Sequence, residues 1–561
     1  MNLTVKRVSE QAERFIPKNY LGLVFATISF CFSMLPSLSP RPGLFQCIIS
    51  GLSLAFGYGL GLLISKTIRW ISQDPKNANL KAEPKDSYKQ KAWLILKITS
   101  PLIIITYTIL GSRWQNEVRV LVGQKEEDPA LFIWVLILSL LVFVLLSLSA
   151  RAIRKIYRVI LKHLDKKLPR RLSVSIATLT LVGFFFWIVS GMFTNFFVST
   201  SNKIYKNIND STPEGITQPT SSLRSGSKDS LVKWDDVGFQ GKRFIGGGPT
   251  QEELAKFTDQ PQEPIRVYVG VKSADTASER ARLAVQELKR TGAFDKEVLA
   301  VATPTGTGWL EPEAVDSLEY LFGGNSAIVA QQYSYLPSWI SFLVDQENAR
   351  IAGQELFNAV YTEWVGLPQD NRPKLITYGL SLGSFGGQAA FSGLGDIRRS
   401  VDGAMYVGTP NETTLWQDLT EARDAGSPQW QPIANGGKEV RFASSNQDIL
   451  ANQDEWQGSR VLYLQHASDP VTWFNFDLIF RKPDRFKEPA GPDVSPSVKW
   501  YPFVSFAQAS VDQFFGTTVP NGHGHNYADT MVSGWLSIAK PSNWDESKTK
   551  DLQDLIESYR E

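Results

Sequence analysis

Apolar residues are distributed along this chain in two different ways. Over residues 1–199 they form five long runs, approximately 20–38, 44–65, 92–110, 130–150 and 172–198. Each approaches the ~20 residues that cross ~30 Å of hydrocarbon as a helix. Helix is the fitting form, because in lipid every backbone N–H and C=O must find its partner within its own segment. Beyond residue 264 the runs are short and β-branched, and they alternate with stretches of helical period. The pattern predicts strands over 265–271, 298–302, 327–332, 374–378, 404–407 and 460–465. It predicts helices over 276–291, 313–321 and 347–365, a small-residue helix from 384 to about 391, and a closing helix over 527–538. Such alternation is the mark of an α/β domain with a mostly parallel sheet and helices on both faces. Residues 200–230, rich in Ser, Thr, Gly and Pro, read as a flexible linker. The expected organisation is a membrane domain over 1–199 with five transmembrane helices, the linker, and an α/β domain over 231–561 in which 409–459 is a candidate lid insertion.

Charge sharpens this division. The 561-residue chain carries a formal +2, but residues 1–199 hold 25 Lys and Arg against 10 Asp and Glu, leaving about −13 for the remainder. Between the apolar runs, segments 1–19, 66–91 and 151–171 hold 4, 7 and 9 basic residues, whereas 39–43 and 111–129 hold 1 and 3. By the positive-inside rule this places the N-terminus in the cytoplasm, and five crossings put the α/β domain on the outer side. An acidic outer domain without a basic groove argues against nucleic acid as a partner. The two cysteines, Cys31 and Cys47, both lie in the first 199 residues. The α/β domain therefore has no disulfide, thiolate nucleophile or cysteine metal site, and no cofactor or metal is expected.

The sharpest chemical signal is Gly379-Leu-Ser381-Leu-Gly383, between the strand Lys374-Leu-Ile-Thr-Tyr378 and a run of small residues. A strand–turn–helix context for Gly-x-Ser-x-Gly is what a nucleophile elbow requires, with Ser381 as nucleophile. A serine hydroxyl needs a base. Of the four histidines, His163 is in a basic loop of the first domain, and His466 ends a strand, where it reads as a satisfied structural residue. That leaves Asn521-Gly-His523-Gly-His525-Asn-Tyr527, with His525 the favoured base and His523 the alternative. Asp469, four residues past the end of a strand, is the expected acid and falls in the chain order serine, acid, histidine. Asp477, Asp484 and Asp493 are rivals in weaker strand context. Oxyanion donors are expected from the Leu382 amide and from Gly306 or Thr307 in the loop Thr303-Pro-Thr-Gly-Thr-Gly-Trp309. Trp309, Tyr333 and Tyr335 are candidates to line the substrate pocket.

Taken together, Gly379-Leu-Ser-Leu-Gly-Ser384, Thr305-Gly-Thr-Gly-Trp309, Gln332-Tyr-Ser-Tyr-Leu-Pro-Ser-Trp339, Gly522-His-Gly-His-Asn-Tyr527 and Leu35-Pro-Ser-Leu-Ser-Pro-Arg-Pro-Gly-Leu-Phe-Gln46 resemble a bacterial family of membrane-anchored α/β-hydrolases. Its members join an N-terminal multi-helix transmembrane domain to a C-terminal hydrolase domain. The resemblance spans nearly the whole chain and implies a serine hydrolase with Ser381, Asp469 and His525 as its triad. The expected activity is acyl-serine chemistry on a lipid or cell-envelope ester, as hydrolase or transacylase, at the outer face of the cytoplasmic membrane. A membrane-bound serine peptidase of the same fold and a non-catalytic binding or scaffold protein are the alternatives. Neither the acyl and alcohol groups nor the oligomeric state is readable from the residues.

Overall fold

A computed structural model describes residues 19–72, 86–188, 191, 194–451 and 455–560. The expected cytoplasmic segments 1–19 and 66–91, and the end of the run 172–198, fall partly outside these residues. The chain forms two compact units, and their boundaries differ from the expected ones. The first comprises residues 1–197 together with 476–486 and 494–515, and the second holds the rest. Two stretches expected in the α/β domain thus belong with the N-terminal helices.

In the first unit the helices are α1 (Tyr20–Met34), α2 (Gly43–Ser72), α3 (Asp86–Leu121), α4 (Phe132–Leu164) and α5 (Arg170–Trp187). Among the described residues, three spans, Gly43–Ile71, Ser87–Leu121 and Pro129–Leu164, are long and apolar enough to cross a membrane. The first expected run forms the shorter apolar helix α1, and the fifth, 172–198, lies partly outside the described residues. At 15 residues α1 reaches only about 22 Å. Phe30, Met34, Cys47, Leu54, Tyr58, Val135 and Phe143 form a buried cluster in this unit. The outer surfaces of α3, α4 and α5 expose large apolar side chains such as Leu102, Trp134, Leu179 and Phe186, as lipid-facing helices do.

The late-sequence stretches dock here through aromatic rings. Phe32 stacks on Tyr501 (centroids 3.7 Å apart), Phe56 on Phe503 (4.3 Å), and Phe515 stands edge-on to Phe45 (4.8 Å). The loop between α1 and α2 is held to the helix Val504–Asp512: Gln508 Nε2 donates to the Leu35 carbonyl, and the Leu38 amide donates to Asp512 Oδ2 at 3.1 Å.

The second unit is built on a seven-stranded sheet, β1 (Ile265–Val269), β2 (Val298–Thr303), β3 (Ser326–Gln331), β4 (Lys374–Leu380), β5 (Gly403–Val407), β6 (Val440–Ala443) and β7 (Arg460–Leu464). All pairings are parallel, in the order β1-β3-β2-β4-β5-β7-β6. Nearly every strand residue is buried, which is why the strands read as continuous apolar runs. Two expectations change. The stretch 409–459 supplies the helix Thr414–Glu421 and the edge strand β6, so it is partly sheet and not wholly an insertion above it. Residues 200–230 do not form a tether: a helix runs over Thr194–Asp210, and the polar stretch beyond it is bonded down. Arg224 donates to the Ile245 and Gly247 carbonyls, and the Glu287 carboxylate accepts from Ser225, Ser230 and the Leu231 amide. The last regular helix is also not the expected one, because Met531–Ala539 is followed by Thr549–Glu557.

Candidate functional site

Strand β4 ends directly in Ser381, whose backbone sits at φ 55°, ψ −124°, in the region that residues with a Cβ rarely occupy. The flanking glycines explain how the turn closes. A Cβ on Gly379 would lie 2.4 Å from the Gly383 carbonyl oxygen, and one on Gly383 would lie 2.1 Å from that of Thr303. Any side chain at either position would force strand and helix apart. The Ser381 amide donates to the Val407 carbonyl at the end of β5 (2.8 Å), and Leu382 opens the helix Leu382–Gln388. First-turn amides have no intrahelical acceptor, and the positive end of the helix points the same way.

Val407 is followed by Gly408, at φ 51°. A Cβ there would lie 2.4 Å from His525 Cε1 and 3.0 Å from Asp469 Oδ2. The end of β5 thus touches Ser381 through its carbonyl and the His525–Asp469 pair through the bare α-carbon of Gly408. These residues, distant in sequence, converge at the carboxyl end of the sheet, where parallel α/β sheets place their ligands.

The carboxylate and imidazole are joined directly: His525 Nδ1 lies 2.7 Å from Asp469 Oδ2. Asp469 caps the short helix Pro470–Trp473, its Oδ1 accepting the Val471 amide at 2.8 Å and the Thr472 amide at 3.4 Å. Its Oδ2 also accepts the Tyr527 hydroxyl at 2.6 Å and Thr472 Oγ1 at 3.2 Å. Burial alone would push this carboxyl up. The opposing charge and hydrogen bond of His525, with bonds from Tyr527 and the Val471 amide, outweigh burial and hold it below the usual carboxylate range. The other ring nitrogen, His525 Nε2, is buried without a hydrogen-bond partner among the described residues. An imidazole held at Nδ1 by a carboxylate and open at Nε2 is arranged to take a proton there.

The remaining expected residues divide. His523 is half-buried, has no bond to Asp469, and is lowered by its desolvation. His466 is structural as expected, its Nδ1 on the Gly524 carbonyl at 2.9 Å. Of the rival carboxylates, Asp493 holds the Ser468 amide and hydroxyl, and Asp477 forms an exposed pair with Arg481. The Gly306 amide donates to Ser338 Oγ at 3.2 Å, so it is already engaged, and the Thr307 carbonyl accepts from Gln332. Tyr333 packs in one buried cluster with Leu382, Ala349 and Ala352, whereas Trp309 and Tyr335 are half-buried outside it. Tyr527, Thr472 and Gly408 are the site residues that sequence reasoning missed. Tyr527 alone carried a signal, two residues beyond His525 in the same turn. Among the described residues no group of His, Cys, Asp or Glu is placed to hold a metal ion.

Comparison with known proteins agrees with this architecture. A family model described as "Alpha/beta-hydrolase family" matches residues 265–552, and a second, "Alpha/beta-hydrolase family N-terminus", matches residues 34–249. No curated protein and no solved structure matches the chain. With more than half its length under the first model and most of its N-terminal half under the second, the chain belongs to this α/β-hydrolase family.

Proposed function

We propose that the protein is a membrane-anchored serine hydrolase that cleaves an ester by acyl-serine chemistry. One observation carries this reading: the His525–Asp469 bond, with Nε2 open, packed against the strand end that also holds Ser381 in its strained turn. In the reaction, Ser381 Oγ attacks the ester carbonyl and passes its proton to His525 Nε2. Asp469, ionised, stabilises the imidazolium and keeps Nδ1 protonated. The tetrahedral oxyanion takes the Leu382 amide as one donor, and Thr307 is the candidate for the second, since the Gly306 amide is engaged elsewhere. Collapse breaks the bond to the alkoxide, which leaves with the proton from His525. Water then attacks the acyl-serine by the same route in reverse, and a second alcohol in its place makes the reaction a transacylation.

The substrate class comes from location. The apolar helices hold the chain at a bilayer, and the loop charges, taken with the five crossings expected from the sequence, support an outer-face position at which lipids and envelope esters are concentrated. The test is labelling with a fluorophosphonate. The full-length protein in detergent is expected to react, and Ser381→Ala to lose the adduct, with turnover falling on the order of 10⁶-fold. Failure of the well-folded protein to label would discard catalysis in favour of a binding role. Chromogenic esters of graded chain length, set against peptide substrates, then separate an esterase from a peptidase.

A further inference from the structure

The acid of the site is shared. Asp469 Oδ2 receives His525 Nδ1 at 2.7 Å, the Tyr527 hydroxyl at 2.6 Å and Thr472 Oγ1 at 3.2 Å. The Tyr527 oxygen itself accepts the backbone amide of His466 at 3.1 Å, which leaves its proton directed at the carboxylate. The phenol ring has little freedom. It lies flat against the His466 imidazole (centroids 4.2 Å, 8° between planes) and edge-on to that of His525 (5.9 Å, 84°). His466 is fixed in turn by the Gly524 carbonyl at Nδ1 and by Trp473 Nε1 on its own carbonyl. Tyr527 is wholly buried. It ties the loop after β7, which carries the acid, to the turn that carries the base. The ionisable groups around it are Asp469, His466 and His525, with Asp493 acting at longer range. Burial and the Asp469 charge push the phenol well above its ordinary value, so it remains a donor throughout the working range.

We infer that Tyr527 is a positioning residue that orients Asp469 Oδ2 toward His525 and draws charge from it, setting the basicity of the imidazole. This rests on the assignment of Ser381, Asp469 and His525 made above. A donor that stabilises the carboxylate weakens its hold on the imidazolium. Removing the donor strengthens that hold, and a stronger donor relaxes it further. The consequence is a shift of opposite sign in two variants, which a residue that merely fills space would not produce.

The experiment measures the rate of fluorophosphonate labelling of the full-length protein against pH. This needs no knowledge of the natural substrate, and its acid limb reports protonation of the base. Tyr527→Phe is expected to move the midpoint of that limb up by about 0.5–1 pH unit and to slow labelling roughly tenfold. Replacement of Tyr527 by 3-fluorotyrosine, whose phenol is a stronger donor of the same shape, is expected to move the midpoint down and to keep the rate. It also supplies a folded variant should the phenylalanine protein be unstable. Midpoints that stay in place, or that move in the same direction in both proteins, overturn the inference. A wild-type protein that does not label at Ser381 overturns instead the hydrolase reading beneath it.

Discussion

Two aspartates of this protein are equally buried and are treated in opposite ways. Asp469, in the α/β unit, has both oxygens bonded: Oδ1 by the amides of Val471 and Thr472, Oδ2 by His525, Tyr527 and Thr472. Asp512, in the membrane unit, faces a buried arginine, yet its Oδ1 stands 3.6 Å from Arg41 Nε, beyond hydrogen-bond reach. The Arg41 guanidinium has no hydrogen-bond partner among the described residues. Burial dominates at Asp512 and pushes its carboxyl above the usual range despite the arginine. At Asp469 the same burial is overcome and the carboxyl is held low. An opposite charge nearby, with the Leu38 amide on one oxygen, does not offset the burial of Asp512, whereas the fuller set of hydrogen bonds at Asp469 does.

The largest expected effect tests the satisfied site. Asp469→Asn keeps the shape of the side chain but presents an amide that cannot stabilise the imidazolium. Labelling or ester turnover should fall by about 10⁴-fold, with the thermal midpoint changed little by comparison. Next comes the unsatisfied pair. Asp512→Ala strands a buried guanidinium, and a loss of about 3–5 kcal/mol of stability is expected from a denaturant titration in detergent micelles. The paired replacement Arg41→Met with Asp512→Leu should recover part of it, since two apolar side chains of similar bulk carry no charge to desolvate while the Leu38 amide loses its acceptor. A double variant no more stable than the single one would show that Arg41 and Asp512 do not act as a pair. The contrast between the two aspartates would then fail.

The same contrast explains what was legible in the sequence. Strands β1 to β5 and β7 announced themselves because both their faces are buried and each reads as a short, mostly apolar and β-branched or aromatic run. The edge strand β6 was missed: Val-Arg-Phe-Ala is four residues in a polar stretch, and it becomes a strand only by pairing with β7. The polar stretch 211–230 was misread for the opposite reason. Its Ser, Thr and Arg side chains look solvated, but they replace water with backbone carbonyls and with Glu287. Ser381, Asp469 and His525 were legible because each follows or precedes a regular element in a fixed chain order. Tyr527 was not, since its role depends on an oxygen 58 residues away. Asp512 had no sequence signature: nothing in its helix distinguishes it from a solvated aspartate until the loop 35–42 covers it.

The smaller predictions separate the two carboxylates by pH. Asp469 has a depressed value in the folded state, so its contribution to stability is fully present above the ordinary carboxylate value, about 3.9, and is lost as pH falls through the lower folded value. Asp512 has a raised folded value, so its contribution is fully present below about 3.9 and is lost as pH rises through the higher folded value. The two therefore act on opposite sides of the same pH. A stability–pH curve of Asp512→Asn should lose the decline on the high side, and one of Asp469→Asn the decline on the low side. Each slope is at most about 1.4 kcal/mol per pH unit for one proton.

Smallest of all is Thr472→Val, which deletes the 3.2 Å bond to Asp469 Oδ2 and leaves the two stronger donors to that oxygen in place. A loss of about 1 kcal/mol, or up to tenfold in labelling rate, is expected. If Thr472→Val proved as damaging as Asp469→Asn, the hydroxyl would be indispensable to holding the carboxylate, and its charge would not be what sets the imidazole. If it had no effect on either stability or rate, Tyr527 and His525 would suffice to hold Oδ2. The ionised state of Asp469 would then rest on those two bonds and the Val471 and Thr472 amides, as the difference from Asp512, which lacks such donors on one oxygen, requires.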